Sequence, residues 1–228
     1  MKTHRFYTQE KIIQESQHKS VDAGLVHQLR DVFRMRNGEE VILFDGTGFE
    51  FPAIIELITR KEVVFDVGKG NKGKDKTDKE VHLFMSIIKK DNLELVLEKA
   101  TELGVASVTP VIAERSQYKQ VREDRLKKIV KEAGEQSGRT TLPEVRPLKT
   151  VGEVIAEHQD VLVLHMGGSP ISEISIGEDV RVLIGPEGGW SERELELFKK
   201  KDIKIVSLPF KTLRAETAVI AGLALLQK

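Results

Sequence analysis

Apolar runs alternate with segments of helical periodicity from residue 81 to the end of the chain. Residues 81–88 form an almost continuous apolar run, which is typical of a strand buried on both faces of a parallel sheet. Further strands are predicted at 105–112, 161–164, 180–184 and 203–208, and helices at 91–103, 123–136, 192–200 and 215–227. This alternation predicts an α/β fold with a parallel sheet and helices on both faces.

The first 70 residues contain shorter strands joined by tight turns. The predicted strands lie at 41–44, 49–58 and 63–67. An Asp-Gly pair at 45–46, typical of a hairpin, joins the first two. A helix with Asp22 as its N-cap is predicted at 22–33. Together these elements predict a small β-barrel or curled sheet that carries one helix.

A glycine- and lysine-rich segment at 68–79 separates the two patterns. It has no apolar side chain, as expected of an exposed linker or a hairpin tip. We therefore predict two domains, a small β-rich domain at 1–70 and an α/β domain at 71–228. In the second domain, Asp91 is the predicted N-cap of the first helix, and Gly104 is the residue that ends it.

Composition narrows the classes of protein to which the chain can belong. Of its 228 residues, 39% are hydrophobic and 32% are charged, and no apolar run is long enough to span a membrane. Residues 1–6 lack the apolar region of a secretory signal, and without cysteine the chain forms no disulfides. We expect a soluble, cytoplasmic protein with no membrane partner. Because the net charge is zero, any binding to nucleic acid must be local.

A glycine loop follows the strand at 180–184 and leads directly into a predicted helix. The loop reads Gly185-Pro186-Glu187-Gly188-Gly189, and Ser191 with Glu194 has the spacing of a capping box at the helix start. Glycine allows positive φ and lets a ligand approach the main-chain amides closely. The loop therefore predicts a binding site.

Two other strand ends have comparable loops. Leu164 is followed by His165-Met166-Gly167-Gly168, and Leu208 is followed by Pro209-Phe210-Lys211. Ligands of open α/β sheets bind outside the carboxyl ends of the strands, so we expect the three loops to form one wall of a pocket.

The common phosphate and metal motifs are absent from the sequence. No Gly-x-x-x-x-Gly-Lys-Ser/Thr is present and no Gly-x-Gly-x-x-Gly follows a strand, which argues against a pocket that grips phosphate. The six histidines include no pair at metal-binding spacing, so no metal is expected. The pattern alone indicates an α/β cofactor-binding enzyme with a small RNA-binding or interaction domain.

Six segments resemble, in the same order, the signature segments of one family, and the match runs almost from end to end. They are His4-Arg5-Phe6, Lys99-Ala100-Thr101-Glu102-Leu103-Gly104-Val105, Glu114-Arg115-Ser116, Glu135-Gln136-Ser137-Gly138-Arg139, Gly185-Pro186-Glu187-Gly188-Gly189 and Leu213-Arg214-Ala215-Glu216-Thr217-Ala218. The chain thereby resembles the SPOUT-class methyltransferases that modify uracil N3 in 16S ribosomal RNA, the ribosomal RNA small subunit methyltransferase E family.

The resemblance implies a PUA-like β-barrel for RNA at 1–70 and a SPOUT domain with a C-terminal trefoil knot at 71–228. It implies S-adenosylmethionine as methyl donor, 16S rRNA in the small ribosomal subunit as substrate, a homodimer through the C-terminal domain, and no metal. The implied catalytic residues are Arg214, Glu216 and Arg139. The implied cofactor-binding residues are Leu164, His165, Gly185, Glu187, Gly188, Gly189, Leu208, Pro209, Leu213, Thr217 and Ala218. The implied RNA-binding residues are His4, Arg5, Lys89, Arg115 and Arg139.

Uracil N3 carries a proton and must lose it before it attacks a methyl group. Arg214 is expected to stabilise the charge that develops on the uracil carbonyl oxygens, and Glu216 or Glu187 is expected to accept the proton or to orient Arg214. A structural alternative is that Glu216 complements the dipole of the last helix and pairs with Arg214 at the surface.

One segment departs from the family pattern. Where the family has Leu-Gly-x-Arg-Ile-Leu-Arg, this chain has Pro209, Lys211 and Thr212 in place of the glycine, arginine and isoleucine. Proline has no amide proton, so a main-chain bond donated to adenine at that position is unavailable. Pro209 leaves open an RNA-binding ribosome assembly factor with a degraded donor site. A separate alternative, which differs in the nucleophile, is an enzyme of the same fold that methylates a ribose 2′-hydroxyl.

Overall fold

The computed structural model describes residues 3–73, 75 and 79–227 as two compact units. The first unit is Met1–Asp75 with Gly134–Leu142, and the second is Lys76–Ala133 with Pro143–Lys228. The sequence pattern placed the boundary at residue 70 and did not group the segment 134–142 with the N-terminal part. Within the predicted linker at 68–79, residues 74 and 76–78 lie outside the described residues.

The first unit is a six-stranded sheet with one short helix. Its strands are β1 (His4–Tyr7), β2 (Ser16–Ser20), β3 (Glu40–Phe44), β4 (Phe49–Ile58), β5 (Val63–Val67) and β6 (Asn71–Lys72), and its helix is α1 (Ala23–His27). The strand order is β1-β3-β4-β5-β2, with β6 paired to β4. The β1–β3 pair is parallel and the other pairs are antiparallel. Strands β3, β4 and β5 confirm the three strands that alternation predicts here.

Helix α1 is shorter than the sequence predicts. Asp22 is its N-cap as predicted, because the Asp22 carboxylate accepts the amide of Gly24 at 2.7 Å. After His27 the chain widens into a π-helical turn, in which the Phe33 amide donates to the carbonyl of Gln28. This wider turn keeps Leu29 fully buried in the core of the unit.

Hydrogen bonds to two carboxylates join the segment 134–142 to the rest of the first unit. Glu135 accepts the main-chain amide of Tyr7 at 3.0 Å and the side-chain amide of Gln28 at 2.7 Å. Asp75 accepts the amides of Thr140 and Thr141 at 2.9 and 2.7 Å and also both hydroxyl groups. These bonds join residues distant in sequence, which explains why local patterns did not group them.

The second unit is a seven-stranded sheet with helices. The strands are β7 (Glu80–Ser86), β8 (Ser107–Ile112), β9 (Glu144–Val145), β10 (Lys149–Thr150), β11 (Leu162–Pro170), β12 (Asp179–Ile184) and β13 (Ile205–Ser207). The helices are α2 (Lys90–Glu102), α3 (Glu123–Ser137), α4 (Val151–Glu157), α5 (Glu192–Lys200) and α6 (Ala215–Leu226), and a 3₁₀ turn follows β11 at Ile171–Glu173. The last residues of α3, from Gly134, belong to the first unit.

The strand order in this sheet is β10-β8-β7-β12-β11-β13, with β9 paired to β8, and every pair is parallel. The predicted α/β fold with a parallel sheet is therefore confirmed. The sequence pattern missed β9, β10 and α4, which are too short to show a clear period. The trefoil knot stays a prediction. Among the described residues, no helix has both the length and the apolar character needed to cross a membrane.

Two of the three predicted helix-end signals in this unit are confirmed. Ser191 and Glu194 form the capping box at the start of α5, with bonds of 3.1 and 2.8 Å between side chains and amides. Gly104 has a φ of +88° after α2, as a helix-ending glycine requires. The prediction of Asp91 as N-cap was wrong, since α2 begins at Lys90 and its N-cap is Lys89. Asp91 lies inside the first turn, where its charge complements the helix dipole.

Strand β11 is longer than predicted because it resumes pairing after an interruption. Both Leu164 and Ser169 pair with Val206 of β13, so residues 165–168 bulge out of the ladder. A Cβ on Gly168 would lie 2.6 Å from main-chain atoms of Ile205 and Val206. Only glycine therefore allows this close approach between the two strands.

We predict that Gly168→Ala destabilises the protein by about 1–3 kcal/mol, because main-chain atoms must move to admit the methyl group. Urea unfolding followed by circular dichroism measures this change. Gly177→Ala is the matched control, since a Cβ there meets nothing within 4 Å and its backbone suits alanine. Equal stabilities of the two variants would contradict the proposed close approach.

Candidate active site

The carboxyl ends of three neighbouring strands lie level with one another. Leu164 of β11 pairs with Ile184 of β12 on one side and with Val206 of β13 on the other. At this line β12 ends, β11 is interrupted by its bulge, and β13 ends one residue later at Ser207, and the segments 165–168, 185–190 and 207–213 lie beyond it. The parallel register thus brings together the loops that the sequence predicts as one wall.

These segments enclose a cavity of about 640 Å³, within the range of small-molecule sites. It is lined by residues from the three segments, from the start of α2 and from the first turn of α6. They are Asn92, Leu164, His165, Met166, Ile184, Gly185, Pro186, Glu187, Gly189, Trp190, Ser207, Leu208, Phe210, Lys211, Thr212, Leu213, Arg214, Ala215, Glu216 and Ala218.

Most of the residues implied by the family resemblance meet at this cavity. Those on its wall are Leu164, His165, Gly185, Glu187, Gly189, Leu208, Leu213, Arg214, Glu216 and Ala218. The remaining implied cofactor-binding residues, Gly188, Pro209 and Thr217, are exposed and do not line it. The neighbours of Pro209 on either side, Leu208 and Phe210, do line it.

The wall also contains residues that the sequence pattern did not single out. Asn92 comes from the start of α2, far away in the sequence, and no motif marks it. Trp190 directly follows the glycine loop, and this position next to a predicted binding loop could have indicated that it lines the cavity. Phe210 and Met166 are large, apolar and 54% and 70% exposed, and both lie within segments already identified.

The glycine loop is held by polar bonds from outside the wall. Glu187 Oε1 accepts the amide of Lys89, the N-cap of α2, at 3.2 Å. Arg115 donates from Nη1 to the carbonyl of Gly188 at 3.0 Å. Lys89 and Arg115, both implied RNA-binding residues, are exposed, and each also helps to fix the loop.

Four charged side chains line the cavity, namely the cations Lys211 and Arg214 and the acids Glu187 and Glu216. Arg214 is the N-cap of α6, and its exposed side chain makes no capping bond to the helix. Glu216 lies in the first turn of the same helix. Its Oε2 is buried and has no hydrogen-bond partner among the described residues. A carboxylate oxygen in this state is stabilised by a donor or a cation.

In the first unit, the two N-terminal candidates have different environments. His4 is exposed, and its ring meets Phe33 edge-on at 4.7 Å. Arg5 donates to Glu50 at 2.6 Å, lies over the Phe44 ring, and has a side chain only 16% exposed. The guanidinium of Arg5 thus packs against its own unit, and an RNA contact by this residue stays a prediction.

Arg139 lies in the bonded segment 134–142 of the first unit. It donates to the hydroxyl of Thr141 at 3.0 Å, and the Asp75 carboxylate stands nearby. Burial lowers the pKa of the Arg139 guanidinium, and the charge of Asp75 acts in the opposite direction. The structure assigns Arg139 to a different unit from the cavity, and its catalytic role stays a prediction.

Comparison with known proteins identifies both units. The model of the RNA methyltransferase domain matches residues 75–227, and that of the RNA methyltransferase PUA domain matches residues 26–68. The predicted PUA-like domain is thereby confirmed.

Similar proteins are known over the full length of the chain. Ribosomal RNA small subunit methyltransferase E of Rickettsia conorii is 33% identical over 98% of this chain and 95% of its own. A methyltransferase of Legionella pneumophila solved with SAM has a TM-score of 0.92 and 31% identity, covering 100% of this chain and 98% of that one. Ribosomal RNA small subunit methyltransferase E of Neisseria gonorrhoeae, solved with S-adenosyl methionine, has a TM-score of 0.90 and 28% identity, with 99% and 97% coverage. The chain belongs to the ribosomal RNA small subunit methyltransferase E family of RNA methyltransferases.

Proposed function

We propose that the chain methylates N3 of a uridine in 16S rRNA of the small ribosomal subunit, with S-adenosylmethionine as the donor. The observation that carries this proposal is the cavity at the level ends of β11, β12 and β13, with Arg214 and Glu216 on its wall. Two relatives that match the whole chain were solved with this donor.

The residues of the cavity fit the donor. S-adenosylmethionine supplies a methyl group on a positively charged sulfonium and also carries an ammonium group. The two carboxylates on the wall suit those cations, and the buried Oε2 of Glu216 has no partner among the described residues. Pro209, which has no amide proton to donate, is not among the residues that line the cavity. This supports a working donor site over a degraded one.

Arg214 is placed to stabilise the uracil anion. Its side chain is exposed on the cavity wall, is not used to cap α6, and forms no ion pair with the residues that the structure describes. A guanidinium offers a planar set of donors, which matches a carbonyl oxygen as it gains negative charge. The role of Arg214 is therefore electrostatic, and it strengthens as the N3 proton leaves.

Glu216 is the better of the two candidate proton acceptors. Glu187 already accepts the amide of Lys89 and is occupied in holding the glycine loop to α2. Glu216 stands two residues after Arg214, the N-cap of the same helix, and its Oε2 has no hydrogen-bond partner in the described part of the chain. We assign to Glu216 the removal of the N3 proton or, if a water molecule removes it, the orientation of Arg214.

The remaining partners follow from the same proposal. We propose the cytoplasm as the location, because the substrate is a ribosomal subunit, and a homodimer through the C-terminal domain. Met166 and Phe210, exposed apolar side chains of the second unit, support such an interface.

We predict that Arg214→Ala lowers the rate of methyl transfer to small ribosomal subunits about 10²–10³-fold, the usual cost of removing one donor that stabilises developing charge. Transfer of radioactive methyl groups under saturating donor and RNA measures the rate. Arg193→Ala, which removes an exposed arginine of α5 outside the cavity, is the matched control and should keep the wild-type rate. Wild-type turnover by Arg214→Ala would exclude the proposed role.

The nature of the product separates the proposed activity from its two alternatives. We expect small subunits incubated with the chain and a donor bearing a deuterated methyl group to yield, after digestion, a nucleoside whose label lies on the uracil base at N3. Mass spectrometry of the nucleosides locates the label. A label on ribose would establish the ribose 2′-hydroxyl enzyme instead. Subunit binding without any labelled nucleoside would favour the assembly factor.

A further inference from the structure

We propose that Trp190 is a positioning residue for the methyl donor, and that its indole N–H sets the spacing between the end of β11 and the glycine loop. The inference rests on the proposed donor site and adds to it a residue that no motif of the family resemblance includes. Trp190 does not act on the reacting atoms. It acts through the two main-chain segments between which the donor binds.

A hydrogen bond joins two of the three segments around the cavity. The indole Nε1 of Trp190 donates to the carbonyl of Leu164 at 3.0 Å. Leu164 is the last residue of β11 in register with β12, and Trp190 is the residue that ends the loop after β12. The bond therefore ties these two strand exits to each other, on the wall of the cavity itself.

The ring of Trp190 also holds the glycine loop at its first residue. A Cβ on Gly185 would lie 3.0–3.3 Å from three atoms of the indole, so the ring is packed directly against this backbone. A side chain at 185 would require the ring or the backbone to shift by a few tenths of an ångström. The glycine loop is thus fixed at its start by van der Waals contact and at its end by the Trp190 main chain.

The indole also packs against the core of its own unit. Phe198 of α5, itself fully buried, meets the indole edge-on at a centroid distance of 5.2 Å and an angle of 88°. Trp190 is only 4% exposed. A buried indole N–H without a partner is costly, so the ring keeps the orientation that reaches Leu164.

This arrangement predicts separate effects on binding and on chemistry. Without the indole N–H, the Leu164 carbonyl loses its bond, and beyond the β11–β12 ladder the spacing of the two segments is held less tightly. Donor binding then weakens, because part of the binding free energy is used to order the wall of the cavity. Arg214 and Glu216 lie on α6 and keep their positions, so turnover at saturating donor changes little. A role in folding alone would leave the affinity of the folded protein unchanged.

Trp190 is the only tryptophan in the chain, which provides a reporter that does not depend on turnover. Its emission, excited selectively over the tyrosines, arises from the cavity wall. We expect titration of the wild-type protein with S-adenosylmethionine to change this emission, with the same Kd as calorimetry gives. Donor binding by calorimetry with no change in emission would overturn the placement of Trp190 at the donor.

The decisive comparison is between Trp190→Phe and Phe198→Leu. Trp190→Phe keeps an aromatic ring and removes the N–H, and we expect the donor Kd to rise about 5- to 30-fold while kcat at saturating donor stays within about twofold. Phe198→Leu loosens the same cluster without touching the bond, so its melting temperature should fall while its donor Kd stays at the wild-type value.

The outcomes distinguish this inference from the function on which it rests. No calorimetric binding of S-adenosylmethionine to the wild-type protein would refute the proposed function. Wild-type binding with an unchanged Kd in Trp190→Phe would refute the positioning role alone. An equal rise of Kd in Phe198→Leu would show that core packing, and not the indole N–H bond, determines the donor affinity, which would refute the positioning role. Should Trp190→Phe fail to fold, the emission titration of the wild-type protein still decides the matter.

Discussion

Parallel pairing of β11 with both β12 and β13 at Leu164 is the constraint on which the site depends. The ladder of β11 is interrupted at the line where β12 ends, and β13 ends one residue beyond it, so the three chains leave the ladder at one edge of the sheet. The loops therefore lie close together, and a cavity of about 640 Å³ opens between them. The bulge in β11 is part of this arrangement, because Gly168 lets β11 return to β13 after leaving the ladder.

The polar groups of the site are held by main-chain and helix geometry more than by each other. Arg214 and Glu216 are placed by the start of α6, whose residues Val219 and Leu223 are fully buried. Glu187 is placed by the Lys89 amide. Charged groups fixed in this way need little reorganisation when charge develops on a substrate, which is what transition-state stabilisation requires. The proposed action of Trp190 on Leu164 extends this principle to the donor.

Local periodicity and helix-end chemistry were enough to predict most of the elements. Helix α5 was predicted with its observed bounds, and the Ser191–Glu194 capping box was confirmed, because both depend on residues within one turn. The meeting of three strand ends also followed from the sequence, since parallel strands share an edge. Asp91 was wrongly predicted as an N-cap, because the Lys89 amide is satisfied from a distant loop.

Features that depend on distant contacts could not be predicted. The grouping of 134–142 with the first unit rests on Glu135 and Asp75, whose partners are far away in the sequence. Asn92 reaches the cavity only because α2 begins beside the glycine loop. The indole bond of Trp190 depends on the register between β11 and β12, which no single segment encodes.

A crystal structure of the chain with S-adenosylmethionine is the most direct measurement of whether the level strand ends form a methyl donor site. We expect electron density for the donor inside the cavity, against Leu164, Gly185 and Leu208, with the methyl group on the side of Arg214. Donor density elsewhere on the chain, or a methyl group directed away from Arg214, would contradict both the location of the site and the chemistry assigned to it.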